Sequence, residues 1–178
     1  MSRIPLITPT AATGDTQTLL GQIHGAFGAT PNMFRAVANS PAALKSMWGS
    51  FGALGSGVIP AALGEKIAVA IANRNACEYC LAAHTALGRK AGASSQEMSA
   101  AQGGQSDDPK TAAALHFALR VVEGRGQIED GDVAQLRSVG FNDEEIVEIL
   151  AHVALNLFTN YVNVAFAVPV DFPGVKLR

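Results

Sequence analysis

The chain has 178 residues, of which 48% are hydrophobic and only 16% charged, and it carries a net charge of −2. That length suits one compact domain around a single core, and so little charge leaves apolar faces that subunit association would cover. No basic cluster offers a footprint for nucleic acid or an acidic membrane surface, so neither is expected as a partner.

Taken in order, the chain is punctuated almost entirely by helix signals. The opening, Met1 to Ile7, does not read as a signal peptide, because Pro5 breaks the short apolar stretch and no apolar segment follows it. Thr13-Gly-Asp15 opens a helix whose Leu19, Leu20, Ile23 and Phe27 recur at helical spacing. Pro31 starts a short piece with Met33, Phe34 and Val37. Ser40-Pro41 is an N-cap with proline at the first helical position. The helix it begins carries Leu44, Met47, Trp48, Phe51 and Leu54 and stops in Gly55-Ser-Gly57. Pro60 begins the next, running to about Arg74, and a further helix runs from near Cys77 to Ala91, ended by Gly92.

Ser94-Ser95 caps a small helix ending at Gly103-Gly104, and Asp107-Asp108-Pro109 begins one with Leu115, Phe117, Leu119 and Val122 as its apolar set. A short helix follows from about Asp130 to Ser138. Asn142-Asp-Glu-Glu145 then places a cap and three acids where the macrodipole favours them, opening a helix that continues to about Phe166. The uncharged run from His152 to Asp171 contains Asn156, Thr159, Asn160 and Asn163 and meets Pro169, which suits a buried helix better than a membrane span. The expectation is an all-α bundle of about eight to nine helices in one domain over 1–178. It divides into N-terminal helices (1–59), a helical hairpin carrying the cysteines (60–92) and C-terminal helices (109–166). A cytoplasmic location is expected, where thiols are kept reduced.

The only two cysteines form Cys77-Glu-Tyr-Cys80, and His84 follows four residues later. On a helix these three share one stripe. Cys77 falls near the helix N-terminus, where orphan N–H groups and the dipole stabilise a thiolate. His84, one turn beyond Cys80, is placed to take its proton, which makes Cys80 the attacking sulfur and Cys77 the resolving one. A thiolate that opens a peroxide O–O bond becomes a sulfenic acid and needs a second thiol nearby to condense with it. Two cysteines and a histidine also match a catalytic zinc pattern, but nothing nearby completes a set, so neither metal nor cofactor is expected. His24, His116 and His152 read as ordinary surface or core histidines, Trp48 and Phe51 as core or interface anchors. Asn156, Asn160 and Asn163 form a polar stripe that reads as structural.

Glu65, twelve residues before Cys77, completes a wider pattern: Glu65-Lys-Ile-Ala-Val-Ala-Ile-Ala-Asn73, then Cys77-Glu-Tyr-Cys80-Leu-Ala-Ala-His84. In these residues the chain resembles the AhpD-like alkylhydroperoxidases, grouped with the carboxymuconolactone decarboxylases. Asn156 to Asn163 with Asp171-Phe-Pro173 resembles the peroxidase-related subfamily. The resemblance implies an AhpD-like helical fold assembled as trimers or hexamers and a thiol-dependent reduction of small hydroperoxides. It makes Cys80 peroxidatic and Cys77 resolving, with Glu65 and His84 as the proton relay. A dithiol donor, such as a lipoylated or thioredoxin-like protein, would reduce the disulfide. The peroxidase branch has a histidine where this chain has Tyr79, and a phenol with pKa near 10 is a poor base at neutral pH, so Tyr79 is expected to line the pocket. The alternatives are a lyase of the decarboxylase type and a non-catalytic redox sensor or oligomeric interaction protein.

Overall fold

A computed structural model describes residues 1–178. It contains nine helices and no strand: α1 (Gly14–Phe27), α2 (Asn32–Val37), α3 (Pro41–Gly55), α4 (Ala61–Arg74), α5 (Glu78–Lys90), α6 (Ser95–Gln102), α7 (Pro109–Glu123), α8 (Asp130–Ser138) and α9 (Asp143–Ala165). The expected all-α class is what the chain adopts. No helix is long and apolar enough to cross a membrane.

Helix α4 is the centre of the bundle, touching α5, α6, α7 and α9. Six consecutive residues, Ile67 to Ala72, are buried, so this helix is apolar on every side through its middle. Four of the six are alanine or valine, which lets neighbouring helices approach closely on all faces. Local chemistry fixes where the helices start. Ser40, Asp108 and Asn142 each accept a backbone N–H from the third residue of their helix. The N-terminus of α9 is a reciprocal box, in which Glu145 reaches back to the Asn142 N–H at 2.8 Å.

Two features of the fold shape the cysteine region. The first is the turn between α4 and α5, where Ala76 takes a left-handed conformation with φ of 51°. That geometry lets the Cys77 N–H close back on the Ala72 carbonyl at 2.9 Å, ending α4 and starting α5 within three residues. The second is the tail after α9. The Asp171 carboxylate accepts the Asn32 N–H at 2.7 Å, and Phe172 packs edge-on against Tyr79 with ring centroids 5.7 Å apart. Across from them α1, α2 and α3 contribute an aromatic cluster. Phe34 is fully buried at its centre, with Phe27, Trp48 and Phe51 each within 6 Å of its ring. Such tilted and edge-on pairs are favoured by the ring quadrupoles and give a stiff wall.

A candidate redox site between two cavities

Cys77 is the N-cap of α5, and its sulfur accepts the Cys80 N–H at 3.2 Å. Both cysteines are almost fully buried, their Cα atoms are 5.3 Å apart, and their sulfurs are joined as a disulfide. The helical turn therefore brings the two sulfurs together, as the spacing requires. Asn163 of α9 approaches from the opposite side and donates its side-chain N–H to the Cys80 sulfur at 3.3 Å.

One turn along α5, His84 Nδ1 meets the Glu65 carboxylate of α4 at 2.7 Å. The side chains are about 12% and 23% exposed, so the pair is partly withdrawn from water. A charge-assisted bond of this length holds the imidazole in one orientation. With Nδ1 occupied, Nε2 is the ring nitrogen left to serve the cavity.

The two sulfurs border different cavities. Cys80 and His84 line an apolar one, walled by Phe27, Met33, Phe34, Phe51, Leu87 and Phe172. Cys77 lines a second, more open cavity with Glu78, Val164 and Val170. Tyr79 and Asn163 border both. The Tyr79 hydroxyl accepts the Met33 N–H at 3.2 Å. Burial, reinforced by the Asp171 carboxylate and only partly offset by the Met33 N–H, pushes this phenol far above its ordinary pKa. It stays neutral, fixes Met33 in the cavity wall, and takes no part as a base.

A third cavity lies on the far side of His84. It is lined by Glu65, His84, His152 and Asn156, and it shares Phe51 and Thr159 with the Cys80 cavity. His152, which reads from sequence as an ordinary histidine, is thus brought beside the Glu65–His84 pair. Gly64 makes room for it, since a Cβ there would stand 3.2 Å from the imidazole. Burial lowers the His152 pKa; Glu148 and Glu65 pull it upward, and the His84 ring adds to the lowering. Its Nε2 is buried with no hydrogen-bond partner in the protein. Burial would raise the Glu148 carboxyl, but the N–H groups of Ile59 and Val58 and the nearby His152 outweigh it and hold the carboxyl below its usual value.

Of the asparagine stripe, Asn160 accepts from the Asn75 side chain at the end of α4 at 3.1 Å, and Asn156 donates to the His152 carbonyl one turn back on its own helix at 2.9 Å. Asn163 differs by reaching the sulfur. Nothing in the sequence alone identifies it, because its partner lies 83 positions away. Phe51, expected as a core or interface anchor, divides the two cavities beside His84. No group of histidine, cysteine and acidic side chains is arranged to hold a metal ion.

Residues 41–124, from α3 through α7, match the model of the carboxymuconolactone decarboxylase family, a stretch that includes Glu65, Cys77, Cys80 and His84. No curated protein matches the chain. Among solved structures, it is similar to a peroxidase-related protein from Ralstonia eutropha JMP134 described as an alkylhydroperoxidase AhpD core. That pair shares 25% identity and a TM-score of 0.87 over 96% of this chain and 92% of the other. A peroxidase-related protein from Silicibacter sp. TM1040 is 27% identical with a TM-score of 0.82, covering 94% and 91%. The debrominase Bmp8, 21% identical with a TM-score of 0.79 over 94% and 90%, shares the fold.

Proposed function

The chain belongs to the carboxymuconolactone decarboxylase family, with its AhpD-like members, and on that premise we propose that it is a thiol-dependent oxidoreductase reducing small hydroperoxides through Cys80 and Cys77. The observation that carries this reading is the joined sulfur pair, of which Cys80 borders an apolar cavity lined also by the Glu65-bound His84.

In the reduced protein, His84 Nε2 takes the Cys80 proton, and the thiolate attacks the terminal oxygen of the hydroperoxide. The S–O bond forms as the O–O bond breaks, and the departing alkoxide receives a proton from His84, leaving as an alcohol. Cys80 is now a sulfenic acid. Cys77, one helical turn away, attacks that sulfur and expels hydroxide, which is protonated to water as the disulfide closes. Glu65 keeps the imidazole oriented and balances its positive charge during each transfer. A dithiol donor returns the pair to its reduced state. The wall of Phe27, Phe34, Phe51 and Phe172 favours an apolar alkyl or aryl group on the substrate.

A homo-oligomer, trimer or hexamer, accompanies this reading. Val147, Leu150, Phe158 and Tyr161 lie exposed along one face of α9, and a second copy of the chain is the partner that suits such a stripe. Light scattering on the purified chain tests it. A cytoplasmic setting would keep the pair supplied with electrons.

The experiment is hydroperoxide consumption with a panel of dithiol donors, Cys80→Ser beside the unsubstituted chain. Loss of consumption in the variant, with a dimedone-trapped sulfenate when Cys77 is replaced, supports the mechanism. A decarboxylase-type lyase activity that survives removal of both thiols would replace it. Oxidation by peroxide without turnover by any dithiol would make the chain a sensor.

A further inference from the structure

Asn163 stands out from its neighbours on α9. Its side chain is about 4% exposed, it crosses from α9 to α5, and its N–H points at a sulfur at 3.3 Å. Its carbonyl oxygen is buried with no partner in the protein. Asn156 and Asn160 on the same helix also leave one side-chain atom unpaired, so the orphaned carbonyl does not set Asn163 apart; the identity of its one partner, a sulfur, does. That contact lies at the wall common to the Cys80 and Cys77 cavities.

Toward a disulfide sulfur, an amide N–H contributes little. Toward a thiolate it makes a charge-assisted hydrogen bond. The two cysteines are treated unequally by the fold. The Cys77 sulfur receives the backbone N–H of Cys80 as an N-cap, which on its own would make Cys77 the more acidic thiol. Cys80 lies inside the helix and receives no such backbone donor.

We propose that Asn163 is a catalytic residue that stabilises the Cys80 thiolate, giving Cys80 the anionic character that the N-cap position would otherwise reserve for Cys77. The assignment stands on geometry and does not need the substrate to be a hydroperoxide, although it rests on the reading of Cys80 as the attacking sulfur. The same contact serves the return step. When an external thiolate attacks the Cys77 sulfur, a new S–S bond forms there and the Cys77–Cys80 bond breaks. The electron pair passes to Cys80, where the Asn163 N–H is already in place.

The test is the pH dependence of iodoacetamide alkylation in a Cys77→Ser background, where Cys80 is the only thiol. Removing one hydrogen bond to a charged group should raise the Cys80 midpoint by about one to two pH units in Asn163→Ala. In the near-isosteric Asn163→Asp the rise should be larger, since a carboxylate then faces the thiolate. Asn163→Ser, which retains a hydroxyl donor, should fall between Asn163→Ala and the parent. A purely structural asparagine would lower the melting temperature and leave the midpoint where it was. Should the variants fail to fold, the unsubstituted chain decides: in a ¹⁵N spectrum of the reduced protein, the Asn163 side-chain amide must titrate with the alkylation midpoint of Cys80. Midpoints within about 0.3 unit of the parent, or an amide signal that does not titrate, overturn the proposal. If the unsubstituted chain consumes no hydroperoxide while the midpoints shift as expected, the substrate reading fails and the role of Asn163 stands.

Discussion

Reducing the Cys77–Cys80 bond should leave the fold intact and lower its melting temperature by no more than about 5 °C. A cross-link stabilises chiefly by restricting the unfolded chain, and the restriction grows with the loop it closes. Here the sulfurs are three positions apart, closing a loop of four residues. The chain-entropy relation gives about 6 cal/mol/K for a loop of four, or about 2 kcal/mol at 25 °C. A chain of 178 residues unfolds with an entropy of about 370 cal/mol/K near 60 °C, which converts 2 kcal/mol into about 5 °C. Compensation within the site trims that figure: the Cys77 sulfur can keep its N-cap bond from Cys80, and both thiols remain packed in the same core. The assay is a thermal melt by circular dichroism with and without a phosphine reductant. A fall of more than 10 °C, or loss of helical signal on reduction, would falsify the reasoning and make the bond a structural staple rather than a redox couple.

Three further outcomes follow from the geometry. Glu65→Gln removes the charge that holds His84 at 2.7 Å, and sulfenate formation on Cys80 should slow by about 10²-fold; a rate within threefold of the parent would dismiss the relay. His152 is buried with its pKa below the ordinary value near 6.5, so the unfolded chain binds that proton more readily and stability is lost as pH falls through about 6.5. Melting temperatures between pH 7.5 and 5.5 should decline in the parent and less steeply in His152→Gln; equal slopes would show that another group is responsible. Val164 is exposed at the rim of the Cys77 cavity, and Val164→Trp should slow reduction of the disulfide by dithiothreitol while leaving its formation by hydroperoxide unchanged. Equal slowing of both half-reactions would mean that reductant and oxidant use one entrance.

The helices were legible because their ends are written locally. Ser40-Pro41, Asp108-Pro109 and the Asn142–Glu145 box are short-range chemistry, and each begins a helix where the pattern places it. The cysteine stripe was legible for the same reason, since Cys77, Cys80 and His84 lie within eight residues of one helix. The Glu65–His84 bond crosses between adjacent helices, and only the family pattern pointed to it. What sequence could not supply is the contribution of α9. Asn163 and His152 reach the site from 83 and 68 positions beyond Cys80 and His84, and no periodicity distinguishes an asparagine that meets a sulfur from one that caps a carbonyl. The separation of the sulfurs into two cavities depends on the tail that carries Phe172 back to Tyr79, a long-range packing event with no local signal.

The most direct measurement takes the fully reduced protein, adds one equivalent of an alkyl hydroperoxide, and follows the Cys77- and Cys80-containing peptides by mass spectrometry. The account predicts a Cys77–Cys80 disulfide in the parent, a sulfenate trapped on Cys80 in Cys77→Ser, and no oxidation in Cys80→Ser. Hydroperoxide that leaves both thiols untouched, or a sulfenate that forms first on Cys77, would contradict it.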